Sequence, residues 1–136
     1  MSQPSYPIYV AEFFQPDNRP WHWSMWILTD NNVSLGTSIN VEGFAGNWTV
    51  RVGDCHNPMG SQSIHSLVYI GEFPAWSLPK LINYCKTQLL TNDSAMTWNC
   101  RTFITELVMV LEDSGIVEEG IADTLGQRLR QGRILQ

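Results

Sequence analysis

Asn99-Cys100 stands immediately ahead of a run in which Phe103, Ile104, Leu107, Val108 and Leu111 recur three and four residues apart. That spacing predicts a helix with one buried stripe, and the stripe begins with the cysteine itself. Asn99 is a strong N-cap residue, because its side-chain oxygen accepts a backbone N–H that the first helical turn leaves unpaired. The expected place for Cys100 is therefore the first turn, with its sulfur directed inward. Unpaired N–H groups and the helix macrodipole favour a thiolate there, and such sites lower a cysteine pKa from about 8.5 to roughly 3.5–7.5 when a cation assists. The same N–H groups can hold a developing oxyanion. A thiol so placed suits nucleophilic attack on an acyl or similar electrophilic group, given a base within reach. Packing is the plain alternative, since cysteine is among the most buried residue types.

The leading base is His22. The run Trp21–Leu28 (WHWSMWIL) puts Trp21, Trp23, Met25 and Ile27 on one strand face and His22, Ser24, Trp26 and Leu28 on the other. Both faces are largely apolar, which predicts a central strand and places His22 inside the structure. Around it, residues 6–14 read as a first strand and 15–20 as a turn or loop. Residues 36–43 read as a strand with Asn40 on its polar side, 46–52 as a further strand alternating Trp48, Val50 and Val52, and 53–62 as a loop. A last strand spans 63–73, on one face of which fall His65, Leu67 and Tyr69, and Pro74 ends it. A helix is expected from Ser77, with Leu81, Ile82, Cys85, Leu89 and Leu90 at helical spacing and Cys85 in the core. After the polar break TNDS comes the Cys100 helix, stopped by Ser114-Gly115. A final helical segment follows over 118–131, with Arg128, Arg130 and Arg133 forming a solvated basic face.

Strands first and helices after predict one α+β domain over residues 1–136, a mainly antiparallel meander sheet covered by the C-terminal helices. The chain is 43% hydrophobic, holds six Trp and is only 15% charged, enough apolar mass for a single substantial core. Its net charge of −5 offers no cluster of cations for phosphates, which argues against nucleic acid. The N-terminal MSQPSYPIYVAEFF lacks a basic region followed by a long apolar run, and no segment is long enough to span a bilayer. With an odd count of three cysteines, Cys55, Cys85 and Cys100, the expected setting is a reducing cytoplasm.

The C-terminal part, Asn99-Cys100 followed by Phe103, Glu106-Leu107, Leu111 and Ile116, resembles the NC-x-x-F-x-x-E-L motif of the PPPDE proteins, permuted papain-like isopeptidases. The lecithin retinol acyltransferase-like enzymes share a similar Asn-Cys. In both groups a strand histidine comes first and the nucleophilic cysteine follows at a helix start; PWHWSMWIL and GTSINVEG look like the histidine strand and the next one. The resemblance, over roughly residues 20–117, implies a permuted papain-like fold with Cys100 as nucleophile and His22 as base. It implies Asn40 as the group that orients the imidazole, an amide where the acyltransferase-like group usually has a histidine. The HWS and NC motifs are also similar to those of small fungal proteins.

The implied activity is a cysteine hydrolase or acyl transferase acting on an amide, ester or thioester carbonyl, with no cofactor. Its substrate would be a small molecule, a peptide or an isopeptide. Trp23, Trp26 and Trp98 are expected to line an apolar pocket beside the pair, and His65 competes with Asn40 for the orienting role. Cys55-His56 with His65 matches no zinc spacing and supplies only three ligands, so no metal site is expected. Two further classes stay open: a small-molecule cyclase or isomerase on the same fold, able to work without the thiol, and a non-catalytic binding protein. The Trp-rich, charge-poor composition is compatible with a homodimer without requiring one.

Overall fold

Alternating apolar and polar side chains produce five strands among the described residues: β1 (Ser5–Phe13), β2 (His22–Asp30), β3 (Leu35–Glu42), β4 (Thr49–His56) and β5 (Ile64–Pro74). The computed structural model describes residues 4–16, 21–44, 46–90 and 98–131. All strand pairs are antiparallel, in the order β4-β3-β2-β1-β5. β2 is the middle strand, as a run apolar on both faces requires: Trp23, Met25 and Ile27 enter the main core, while Trp26 is buried on the opposite face.

Among the described residues three α-helices follow: α1 (Leu78–Tyr84), prolonged by a π turn over Cys85–Leu89, then α2 (Cys100–Asp113) and α3 (Ile121–Arg130). α2 lies on β2 and β3, α3 lies on β5, and the π turn after α1 leans on α2. The architecture is thus α+β, an antiparallel sheet with C-terminal helices. The stripe foreseen for α2 is buried throughout, from Cys100 through Phe103, Ile104, Leu107 and Val108 to Leu111. Burying each large apolar side chain contributes roughly 1.5–3 kcal/mol against leaving it in water, so this face holds α2 to the sheet. Cys85 is fully buried in the same core. No helix among the described residues is long and apolar enough to cross a membrane.

The second face of the sheet is covered differently. β4 and β5 are opposite edges, so the connector between them must cross three strands. It does so with a short 3₁₀ turn, Pro58–Gly60, whose Met59 meets Trp26 and Leu67 around a small cavity of about 250 Å³. Trp26 donates its Nε1–H to the Cys55 carbonyl at 2.9 Å, which places its ring against Gly36.

Several local expectations need correction. β4 continues through Gly53-Asp54-Cys55-His56, a stretch expected to be loop, because its backbone pairs with Ser38, Thr37, Gly36 and Leu35 on an edge where polar side chains face water. β5 includes Pro74, paired with Ser5; an edge strand tolerates the missing N–H. Ser77 does not cap α1 through its side chain but donates to the Pro74 carbonyl at 3.0 Å. The break TNDS, Arg133 and most of the loop over 15–20 lie outside the described residues.

Candidate active site

β2 and β3 part company at one end of the sheet. Their ladder closes at Met25 and Ile39, so His22, Trp23 and Ser24 continue β2 beyond the last pair. The start of α2 occupies that opening. Asn99 accepts the N–H groups of Arg101 at 2.9 Å and Thr102 at 3.3 Å, while Thr102 Oγ1 accepts the Asn99 N–H at 3.2 Å. This reciprocal capping box fixes Cys100 as the first helical residue, as its position after an asparagine predicted.

A cavity of about 410 Å³ opens at this end, with Cys100 and Asn99 on one side and His22 on another. Val41, Glu42 and Gly43, from the end of β3, and Trp48, ahead of β4, complete the wall, with Gln15 beyond β1. The volume falls in the range of small-molecule sites. Because the cavity caps the strand ends, side chains from both faces reach it, Val41 from one and Glu42 from the other.

The electrostatics differ from the expected low-pKa thiol. Burial pushes the Cys100 thiol above its ordinary value, against the opposing pull of the Trp23 N–H, the Arg101 charge and the N–H groups of Arg101 and Cys100. The helix start does supply the stabilisation foreseen for a thiolate, but desolvation outweighs it. Burial likewise lowers His22 below the usual histidine range, with the Glu42 carboxylate pulling the other way. Both groups are therefore neutral at pH 7. Among the described residues nothing hydrogen-bonds the His22 ring, whose one ring neighbour is Phe13 at 6.3 Å.

Asn40 does not reach this imidazole. Its Nδ2 donates to Ser24 Oγ at 3.4 Å, one pair further along the strands. The carboxylate that acts on His22 is Glu42, which also pairs with Arg51 at 3.1 Å. None of the three tryptophans expected in the pocket lines the cavity, and neither does His65. Trp23 is buried beneath α2 with Nε1–H donated to Glu12, and Trp26 lies on the other sheet face. Trp98 forms a layer behind Trp48, the rings edge-on at 5.9 Å.

His65 was expected beside Leu67 and Tyr69. The β1–β5 register slips between Glu12 and Phe13, and the slip brings His65 Nδ1 to 2.8 Å from Glu12 Oε1 instead. Cys55-His56 and His65 sit on opposite edge strands, too far apart to share an ion.

Sequence reasoning missed Gln15, Glu42, Trp48 and Glu12. Glu42 carried a usable signal, since alternation puts it on the Asn40 side at the end of the strand. A single acid inside the apolar YVAEFF was the signal for Glu12.

No curated protein and no solved structure matches this chain. Residues 8–118, which run from β1 past the end of α2 and include both His22 and Cys100, match the family of unknown function DUF6540, and the chain belongs to that family.

Proposed function

We propose that this protein is a cysteine-dependent acyl-transfer enzyme or hydrolase, in which Cys100 attacks an amide, ester or thioester carbonyl and His22 moves the protons. One observation carries the reading: His22 and Cys100, remote in sequence, line one cavity of small-molecule size. The chain order, strand histidine before helical cysteine, on an antiparallel sheet backed by helices, supports a permuted papain-like fold of the PPPDE and lecithin retinol acyltransferase-like kind.

Because thiol and imidazole both rest neutral, proton transfer accompanies attack rather than preceding it. As the substrate carbonyl closes on the sulfur, His22 accepts the thiol proton and the S–C bond forms. The carbonyl π pair moves onto oxygen, where the first-turn N–H of Cys100 and the Gln15 amide at the cavity wall are the available donors. Collapse of this intermediate expels the amine, alcohol or thiol, which takes the proton from His22. Water or a second acceptor then gives a proton to His22 and attacks the thioester; collapse breaks the C–S bond, and the departing sulfur takes that proton back from His22, restoring the neutral pair. An imidazole that nothing among the described residues hydrogen-bonds fits such a sequence, since donor and base tighten only around substrate.

The test is acyl transfer from activated esters. Incubation with p-nitrophenyl esters of two to eight carbons should leave an acyl group on Cys100, located by peptide mass. Cys100→Ala should abolish the adduct, and His22→Gln should slow its formation by about 10² or more. A folded protein that takes up no acyl group from any of these donors, or takes it up equally in Cys100→Ala, overturns the reading. The raised thiol favours a second one in that event: acid–base isomerisation or cyclisation at His22 without the sulfur.

A further inference from the structure

Glu12 is 1% exposed at the last residue but one of β1, next to Ala11 and Phe13. A buried carboxylate costs several kcal/mol unless its oxygens are satisfied, and an apolar side chain would commonly pack there at no loss of stability. Its partners are specific. Oε2 accepts Trp23 Nε1–H at 2.8 Å and lies 3.4 Å from Arg101 Nη2, and Oε1 faces His65 Nδ1 at 2.8 Å. Trp23 follows His22 in β2, and Arg101 follows Cys100 in α2. The guanidinium of Arg101 also rests on the Trp23 ring, 4.6 Å from its centre.

We infer that Glu12 is a positioning residue for the thiol site: one carboxylate ties the neighbour of His22 to the neighbour of Cys100 and so sets how the start of α2 meets the start of β2. The role rests on the thiol chemistry proposed above. Trp23 transmits it most directly, because its indole is held by Glu12 while its own backbone N–H points at the Cys100 sulfur. Arg101 is the second arm, held by the same oxygen and acting on the thiol through its charge. His65, brought in by the register slip, occupies the remaining oxygen. Among the described residues the charged or titratable groups around the thiol are Arg101 from α2, His22 from β2 and Glu42 from β3; those around Glu12 are His65 from β5 and Arg101 from α2.

The experiment follows alkylation of Cys100 by iodoacetamide against pH, read by peptide mass, in the full chain carrying Glu12→Gln, Arg101→Met or both. Glu12→Gln keeps the shape and an acceptor for Trp23 but frees Arg101 to swing toward water. Each single variant should alkylate about threefold more slowly than wild type on the rising limb of the profile, and the double variant no more slowly than the slower single. Additive effects, or unaltered profiles in both singles, overturn the proposal. If Glu12→Gln does not fold, Arg101→Met decides alone, since its side chain is on the half-exposed arm, and an unchanged profile again overturns the tie. Alkylation requires no acyl donor, so failure of the thiol reading is separable. An acyl-enzyme that forms while the profiles do not move removes the positioning role, and coupled shifts in a protein that forms none support the tie while removing the reaction.

Discussion

Asn40 donates through Nδ2 to Ser24 Oγ at 3.4 Å, and its Oδ1 is buried without a hydrogen-bond partner among the described residues. The amide is thus spent on a hydroxyl, and the imidazole answers to Glu42. Asn40→Ala should cost about 1 kcal/mol or less, since a long bond is lost together with an unpaired acceptor, and should leave the histidine titration in place. Glu42→Gln should do the reverse. Without the carboxylate, burial acts alone and His22 titrates at still lower pH, a change visible in the ring Cε1–Hε1 signals by NMR. An equal shift in Asn40→Ala would return the orienting role to the amide.

The two members of the pair give stability opposite slopes with pH. His22 is lowered in the fold, so the unfolded chain binds its proton first as pH falls. Stability is full above the ordinary histidine value near 6.5 and is lost as pH drops from there toward the folded value. Cys100 is raised, and Cys85 is pushed up to about 12, both by burial. Unfolded thiolates form first on the alkaline side, and stability declines as pH climbs above the ordinary thiol range. Urea unfolding from pH 5 to 10 should show both declines. His22→Gln should flatten only the acid one, and an unchanged acid limb in that variant would show that other groups cause it.

Gly36 is a packing requirement. A Cβ there would stand 2.4 Å from the Ile27 carbonyl and 2.6 Å from Trp26 Nε1. Neither gives way cheaply, because the first is backbone in the middle strand and the second is pinned to the Cys55 carbonyl. Gly36→Ala should destabilise by about 2 kcal/mol or more, measured by denaturant unfolding, with a change in the Trp emission of the folded state. Wild-type stability would mean that the ring has room to shift.

At the wall of the candidate site the cap of α2 can be tested without touching the thiol. Asn99→Ala removes the acceptor for two N–H groups and should cost about 1 kcal/mol, whereas Asn99→Asp should keep most of it. Loosening the first turn also loosens the N–H groups around the sulfur. Alkylation of Cys100 should therefore change its pH profile in Asn99→Ala and much less in Asn99→Asp.

The cap and stripe that announced α2 are local, so sequence alone could place Cys100 at a helix start. WHWSMWIL announced the middle strand equally well, since no edge strand is apolar on both faces. What escaped notice depends on contacts between remote elements. Alternation assigns His65 to a face only while the register holds, and a one-residue slip opposite Glu12 reverses it. The same parity rule put Trp26 on the His22 side correctly, yet could not say that the cavity lies at the strand end, beyond Trp26. The expected low thiol pKa failed for a similar reason: helix ends are visible in a sequence, but the depth of burial that opposes them is a property of packing.

β1 has one neighbour that is next in the chain and one, β5, that arrives only after β3, β4 and the connector across the second face. Local turns can assemble β1 to β4 quickly, whereas the β1–β5 pairing must close a long loop, the kind of contact that slows folding. α2 comes later still in the chain. During folding the histidine wall and the β2–β3 surface therefore stand before α2, last but one in the chain, is laid on them, and until it docks Cys100 has an exposure that the finished protein denies it. A pulse of iodoacetamide early in refolding should label Cys100 readily and a late pulse poorly, which makes the assembly period the time of greatest oxidative risk to the sulfur.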